Sequence, residues 1–237
     1  MADDDGHTEG RLRARPVVNP AGVPTGAASV GLQPLGHDGV HDGYLYVPAS
    51  YQTGHPAPLM VLLHGAGGDA RATLALLKGP ADATGLILLA PTSREYTWDA
   101  IVGRYGPDVE AIDRVLEGTF SHYAVNPGRV AVGGFSDGAS YALSLGITNG
   151  DLFCHVLAFS PGFMAPAARV GSPRVFVSHG TRDKVLPIGR CSRRIVPQLE
   201  HAGYDVRYRE FEGGHEVPPE IRREVTAWFA TEQYRGG

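Results

Sequence analysis

The sequence predicts an α/β protein built on a mostly parallel sheet with helices on both faces. Three observations predict it. Short apolar runs recur at 59–63, 86–90, 129–133, 153–159 and 174–178. Stretches with apolar residues at helical spacing separate most of these runs, and that alternation implies βαβ crossovers. The earliest candidate strands, 30–34 and 44–47, follow one another with no helix between them, so the N-terminal edge is expected to be antiparallel.

Taken in order, residues 1–10 are expected to be a disordered acidic tail, and 11–237 one domain. A first edge strand is expected at 12–16, and a Pro/Gly/Ala-rich loop at 20–28. Strands follow at 30–34 and at 44–47, the second closed by Pro48. The apolar run 59–63 leads to a helix over 70–77, and 86–90 is a strand stopped by Pro91. Val109, Ile112, Val115, Leu116 and Phe120 define one face of a helix over 107–122. A strand at 129–133 feeds a helix over 137–147. Further strands are expected at 153–159, 174–178 and, with edge-like alternation, 205–210. Helices are expected at 189–202 and 219–231.

Composition excludes several function classes. The chain has 237 residues, enough for a full core, with 43% hydrophobic and 19% charged residues, as in soluble globular proteins. A net charge of −4 offers no basis for nucleic-acid binding. The N-terminus lacks a basic n-region and an apolar h-region, and no apolar run approaches spanning length. No membrane insertion is expected, and the expected location is cytoplasmic. Cys154 and Cys191 make no disulfide framework, although their spacing leaves a single pairing open. No H-E-x-x-H and no Cys/His cluster is present, so neither metal nor other cofactor is expected. Gly65-Ala-Gly-Gly lacks the Lys-Ser/Thr of a phosphate loop.

In such a sheet function sits at the carboxyl ends of the strands. Gly134-Phe-Ser136-Asp-Gly138 follows the strand at 129–133 and opens a helix, the context a nucleophile elbow requires. His179-Gly-Thr-Arg-Asp183 follows the strand at 174–178, and Gly213-Gly-His215 follows the strand at 205–210. Serine, acid and histidine thus come in the chain order Ser136, Asp183, His215. A serine hydroxyl needs a base to take its proton during attack, and His215 fits that role. Asp183 would fix the histidine tautomer and stabilise the imidazolium. A tetrahedral oxyanion needs backbone donors, and the Asp137 N–H at the helix start is one candidate.

Leu-Leu-His-Gly-Ala-Gly-Gly (62–68), Gly-Gly-Phe-Ser-Asp-Gly-Ala-Ser (133–140), His-Gly-Thr-Arg-Asp-Lys-Val-Leu-Pro (179–187) and Gly-Gly-His-Glu-Val-Pro (213–218) together resemble a known family. The chain resembles α/β-hydrolases of the phospholipase/carboxylesterase type, close to acyl-protein-thioesterase-like and polyhydroxyalkanoate-depolymerase-like esterases. The resemblance implies the α/β-hydrolase fold, a serine esterase activity on carboxylic or thio esters, and the Ala66 N–H as second oxyanion donor. Many relatives of the first group carry Gln after the serine, where this chain has Asp137.

Rival assignments are weaker. Ser160 also follows a strand, but Pro161 after it has no N–H to donate. His179 precedes the acid and is read as structural; His64 is read as a scaffold for its loop, and His7, His37, His41, His55, His122 and His201 as loop or surface residues. Too little length remains for a lid domain, so 92–106 and 160–172 should line an open cleft. Trp98, Phe163, Met164 and Leu186 are the expected substrate contacts, with core packing the alternative for each. The substrate class is a small-molecule ester: short-chain acyl ester, thioester or exposed polymer ester. A peptidase or amidase with the same triad, or a non-catalytic ligand-binding relative, are the alternatives.

Overall fold

The computed structural model describes residues 5–16, 29–37 and 40–231. Eight strands form one sheet: β1 Gly31–His37, β2 Val40–Val47, β3 Ala57–Leu63, β4 Ile87–Pro91, β5 Val125–Phe135, β6 His155–Phe159, β7 Arg174–Gly180 and β8 Val206–Phe211. Their spatial order is β1-β2-β4-β3-β5-β6-β7-β8. The pairs β1–β2 and β2–β4 are antiparallel, and every later pair is parallel. The expected sheet is therefore observed, its antiparallel edge included.

Alternation along the central strands divides the core in two. In β3, Leu59, Val61 and Leu63 face one layer, while Met60 and Leu62 face the other. The first layer is covered by α4 (Pro107–His122), α5 (Asp137–Thr148) and α6 (Ser192–His201), the second by α2 (Ala70–Thr84) and α7 (Pro219–Thr231). Helices on both faces keep the parallel strands dry, which is why β3 and β4 are apolar along their whole length.

Three local expectations differ from the structure. The helix expected to stop at 77 runs on to Thr84, because Gly79 and Pro80 lie on its outer side while Ala81 is fully buried. Its ends are closed by the Asp69 carboxylate, which accepts from the Ala72 amide, and by Gly85 in the left-handed conformation. A short helix, α3 (Asp99–Val102), was not legible. Residues 11–16 are not a strand. Their amides donate to side chains instead: Leu12 to Asn149 at 2.9 Å, and Arg13 and Ala14 both to Asp113 Oδ1 at 2.8 Å. Leu12 is thereby buried against the core, and Arg11 and Arg15 pair with Asp151.

The expected disordered tail also differs over its described part. Asp5–Thr8 form a helical turn, α1, and His7, expected at the surface, approaches Asp113 Oδ2 at 2.9 Å. The loop expected at 20–28 lies outside the described residues. Among the described residues no helix is long and apolar enough to cross a membrane.

His155 in β6 is a buried titratable group with a consequence for stability. Its ring is 1% exposed and lies edge-on to Trp228 and Phe229, with centroids 4.7 and 5.2 Å away. Burial, aided by the charges of Arg174 and Arg129, pushes its pKa down from 6.5 to about 4, against a smaller upward pull from Asp205. The unfolded chain therefore binds a proton that the native state refuses between those values, and stability falls with pH across that window. The expected loss is on the order of 3 kcal/mol between pH 7 and pH 4. Urea unfolding of the wild type and His155→Phe at several pH values checks it: the variant should lack this component. An equal loss in both proteins would assign the acid sensitivity elsewhere.

Candidate active site

Ser136 sits between β5 and α5 with φ 59° and ψ −121°, a conformation that costs a non-glycine residue energy. Its amide donates to the Phe159 carbonyl at 3.0 Å. The turn is held by close backbone packing on both sides. A Cβ at Gly134 would lie 2.2 Å from the Gly138 oxygen, and one at Gly138 would lie 2.2 Å from the Leu63 oxygen. Glycine is required at both positions because backbone meets backbone there, β5 against α5 at Gly134 and α5 against the end of β3 at Gly138.

The three side chains singled out from sequence meet in one hydrogen-bonded chain. Ser136 Oγ is 2.8 Å from His215 Nε2, and His215 Nδ1 is 2.6 Å from Asp183 Oδ2. An ionised carboxylate only accepts, so Nδ1 carries the proton and Nε2 accepts from the serine hydroxyl. Phe135 packs against the imidazole, with ring centroids 4.6 Å apart. Asp183 Oδ1 accepts from the Val185 and Leu186 amides at 2.9 and 2.8 Å. Burial alone would raise the Asp183 carboxyl pKa, but the bond to His215 and the two amides outweigh it and hold the pKa below the usual value.

His179 does not compete for the serine. Its Nε2 donates to the Leu186 carbonyl at 2.7 Å and lies 3.3 Å from Asp183 Oδ2. Nδ1 consequently accepts from the Ser192 hydroxyl at 2.7 Å. Burial lowers its pKa, so the neutral form that this tautomer needs is favoured. The imidazole braces the turn that holds Asp183.

On the other side of Ser136, the turn after β3 carries Ala66. His64 organises it. Its Nδ1 donates to the Gly65 carbonyl at 2.8 Å, and its Nε2 accepts from the Ser93 amide at 3.1 Å. Trp98, expected to touch substrate, is fully buried instead. Its indole N–H donates to the His64 carbonyl at 2.8 Å, and its ring stacks on Tyr141 at 5.2 Å. The apolar ring and single donor of tryptophan suit a dry site with one orphan carbonyl. Tyr141 in turn donates to Asp99 Oδ1 at 2.9 Å. Asp108 accepts from the Arg94 and Asp99 amides, each at 2.7 Å. Burial raises the Asp108 pKa despite these donors.

The other expected contacts divide. Phe163 is 38% exposed, and Leu186 is half-buried, with its methyl groups near Gly162. Met164 packs on the core beside Ile147 and Leu199. Ile147 lies eleven residues along α5 from Ser136, a rise of about 16 Å. Met164 therefore belongs to a hollow away from the serine rather than to the cleft. Ser160 is fully buried with φ 52°, which leaves its hydroxyl no route to a substrate. Two residues near Ser136 were missed. Tyr96 is 75% exposed, and its ring would lie 2.6 Å from a Cβ at Gly67. Thr97 donates to Asp137 Oδ2 at 2.8 Å. The available signal was their place after β4, at the same sheet end as the serine.

An open α/β sheet with a serine on a strained strand–helix turn defines the α/β-hydrolase class. Residues 108–231 match the phospholipase/carboxylesterase family, and the chain belongs to that family as a carboxylesterase-type hydrolase of small-molecule esters. Solved structures carry the same fold. Esterase PE8 is 24% identical, with a TM-score of 0.65 over 84% of this chain and 98% of its own. FphF of Staphylococcus aureus, a fluorophosphonate-binding serine hydrolase, is 14% identical, with a TM-score of 0.67 over 87% and 100%. A phospholipase/carboxylesterase from Dyadobacter fermentans is 20% identical, with a TM-score of 0.59 over 86% and 97%. No curated protein sequence matches the chain.

The Trp98 contact generates a test. Trp98→Phe keeps a ring but leaves the buried His64 carbonyl without its donor. Unfolding free energy should fall by about 1–3 kcal/mol, measured by chemical denaturation. A variant as stable as wild type would show that the bond holds nothing.

Proposed function

We propose that this hydrolase cleaves carboxylic esters through an acyl-enzyme formed on Ser136. The observation that supports the reading most is the Ser136–His215–Asp183 chain, with links of 2.8 and 2.6 Å. In this reading Ser136 Oγ attacks the ester carbonyl carbon as its proton passes to His215 Nε2. The negative charge that develops on the carbonyl oxygen is met by the Asp137 N–H at the start of α5 and by the Ala66 N–H in the turn after β3. Collapse breaks the bond to the alcohol, which leaves with the proton from His215. Water then attacks the acyl carbon and gives its proton to His215; as the C–Oγ bond breaks, His215 returns that proton to Ser136 Oγ and the acid is released. Asp183 keeps the proton on Nδ1 throughout and faces the imidazolium as it forms.

Two further parts belong to this reading. Residues 11–237 act as one catalytic domain, supported by Leu12 entering the same core as the central strands. A cytoplasmic setting is consistent with Cys154 and Cys191, which are buried free thiols rather than a disulfide. Phe163 and Leu186 are the side chains we assign to substrate contact, with Tyr96 opposite them beside the Ala66 turn.

Ser136→Ala should abolish turnover of p-nitrophenyl butyrate and labelling by a fluorophosphonate while leaving the melting curve nearly unchanged. Wild-type rates in that variant would remove Ser136 from the chemistry. Asp183→Asn should keep the fold and lower kcat by roughly 10³–10⁴-fold, because the amide can present its N–H to Nδ1 and reverse the tautomer. Unchanged kcat there would mean that another group orients His215.

A further inference from the structure

Parallel strands need a long crossover, and a helix usually fills it. Between β6 and β7 this chain uses no helix. The segment 160–173 instead runs down α5 as coil, tied by its amides. Gly162 N donates to Ser140 Oγ at 2.9 Å, Ala165 N to Ser144 Oγ at 2.9 Å, and Val170 N to the Ile147 carbonyl at 3.1 Å. A coil cannot fill the space of a helix, and a hollow of about 390 Å³ remains between it, the end of α5 and α6.

The lining of this hollow is chemically divided. Ile147, Met164 and Leu199 make an apolar floor. Arg169, Gln198 and Tyr204 supply the polar side. Arg169 forms no ion pair with any described residue, and neither the Gln198 amide nor the Tyr204 hydroxyl has a side-chain partner among them. All three line the same hollow, and the Arg169 charge is near enough to Tyr204 to work against the rise that burial gives the phenol pKa. A guanidinium with no ion-pair partner among the described residues, beside two neutral hydrogen-bonding groups and above an apolar floor, suits a planar monoanion with a short hydrocarbon chain.

We propose that this hollow binds a short-chain carboxylate, with Arg169 on the carboxylate and Met164 and Leu199 on the chain. The site is distinct from the cleft at Ser136. The two are joined by the coil itself, since the Ser140 hydroxyl that holds Gly162 also reaches the Ser136 carbonyl at 3.4 Å. The choice of ligand rests on the esterase reading: an acid released from an ester has the chemistry this site takes.

Calorimetric titration with butyrate, hexanoate and octanoate tests the site, using wild type, fluorophosphonate-blocked protein, Arg169→Glu and Ala168→Trp. Positions 168 and 169 are exposed, so neither variant should unfold. Hexanoate should bind wild type and blocked protein alike and raise their melting temperatures. Its affinity should fall at least tenfold in Arg169→Glu and in Ala168→Trp, and hexanol should bind at least tenfold more weakly than hexanoate. No carboxylate binding at millimolar concentration would overturn the proposal, as would affinity indifferent to Arg169→Glu. Binding lost on blocking Ser136 would place the ligand in the cleft and overturn it too. Failure of Ser136 to label would count against the esterase reading alone, since unblocked protein and variants still report on the hollow.

Discussion

The structure depends on how closely α5 approaches β3 and β5. Backbone meets backbone there, with no room for a side chain at Gly134 or Gly138. That approach holds Ser136 at a positive φ. Strain of this kind persists only where the surroundings over-determine it. Here they do: the Phe159 carbonyl anchors the serine amide, and the buried stretches 59–63 of β3 and 130–134 of β5 cannot yield. The helix start and the turn carrying Ala66 are then placed on either side of the hydroxyl.

Carboxylates, most of them buried, organise what the sheet leaves irregular. Asp183 gathers two amides and an imidazole N–H. Asp99 and Asp108 gather the amides of the segment after β4, and that segment positions Trp98 under the Ala66 turn. Asp113 does the same for the N-terminal segment, where it replaces a strand partner. In each case a side chain satisfies backbone donors that a ladder or helix would otherwise satisfy. Loops built this way are specific in shape yet show no periodicity along the chain.

This difference separates what could be read in advance from what could not. The parallel strands were legible as continuous apolar runs, and most helices because their burial is periodic. The helices at 107–122 and 219–231 match α4 and α7 residue for residue. Ser136, Asp183 and His215 were legible because strand ends are countable in sequence and their chain order is informative. The strand expected at 12–16 failed because apolar alternation there reports burial of Leu12, not a ladder partner. Trp98 and Met164 failed as substrate contacts because an aromatic or thioether in a loop looks the same from sequence whether it turns inward or outward. The burial of Trp98 depends on the His64 carbonyl, 34 positions away.

The sequence by itself determined the class of the sheet, the places of Ser136, Asp183 and His215 at successive strand ends, and the need for glycine around Ser136. Those features follow from local periodicity and from steric limits on single residues. Only the tertiary structure decided which groups His179 bonds, the Leu186 carbonyl and the Ser192 hydroxyl, as it braces the turn of Asp183. It also decided that Trp98 is a scaffold, and that the β6–β7 crossover leaves a hollow. Each of these turns on hydrogen bonds or packing between residues distant in the chain, and a linear pattern carries no record of which distant partner a side chain will meet.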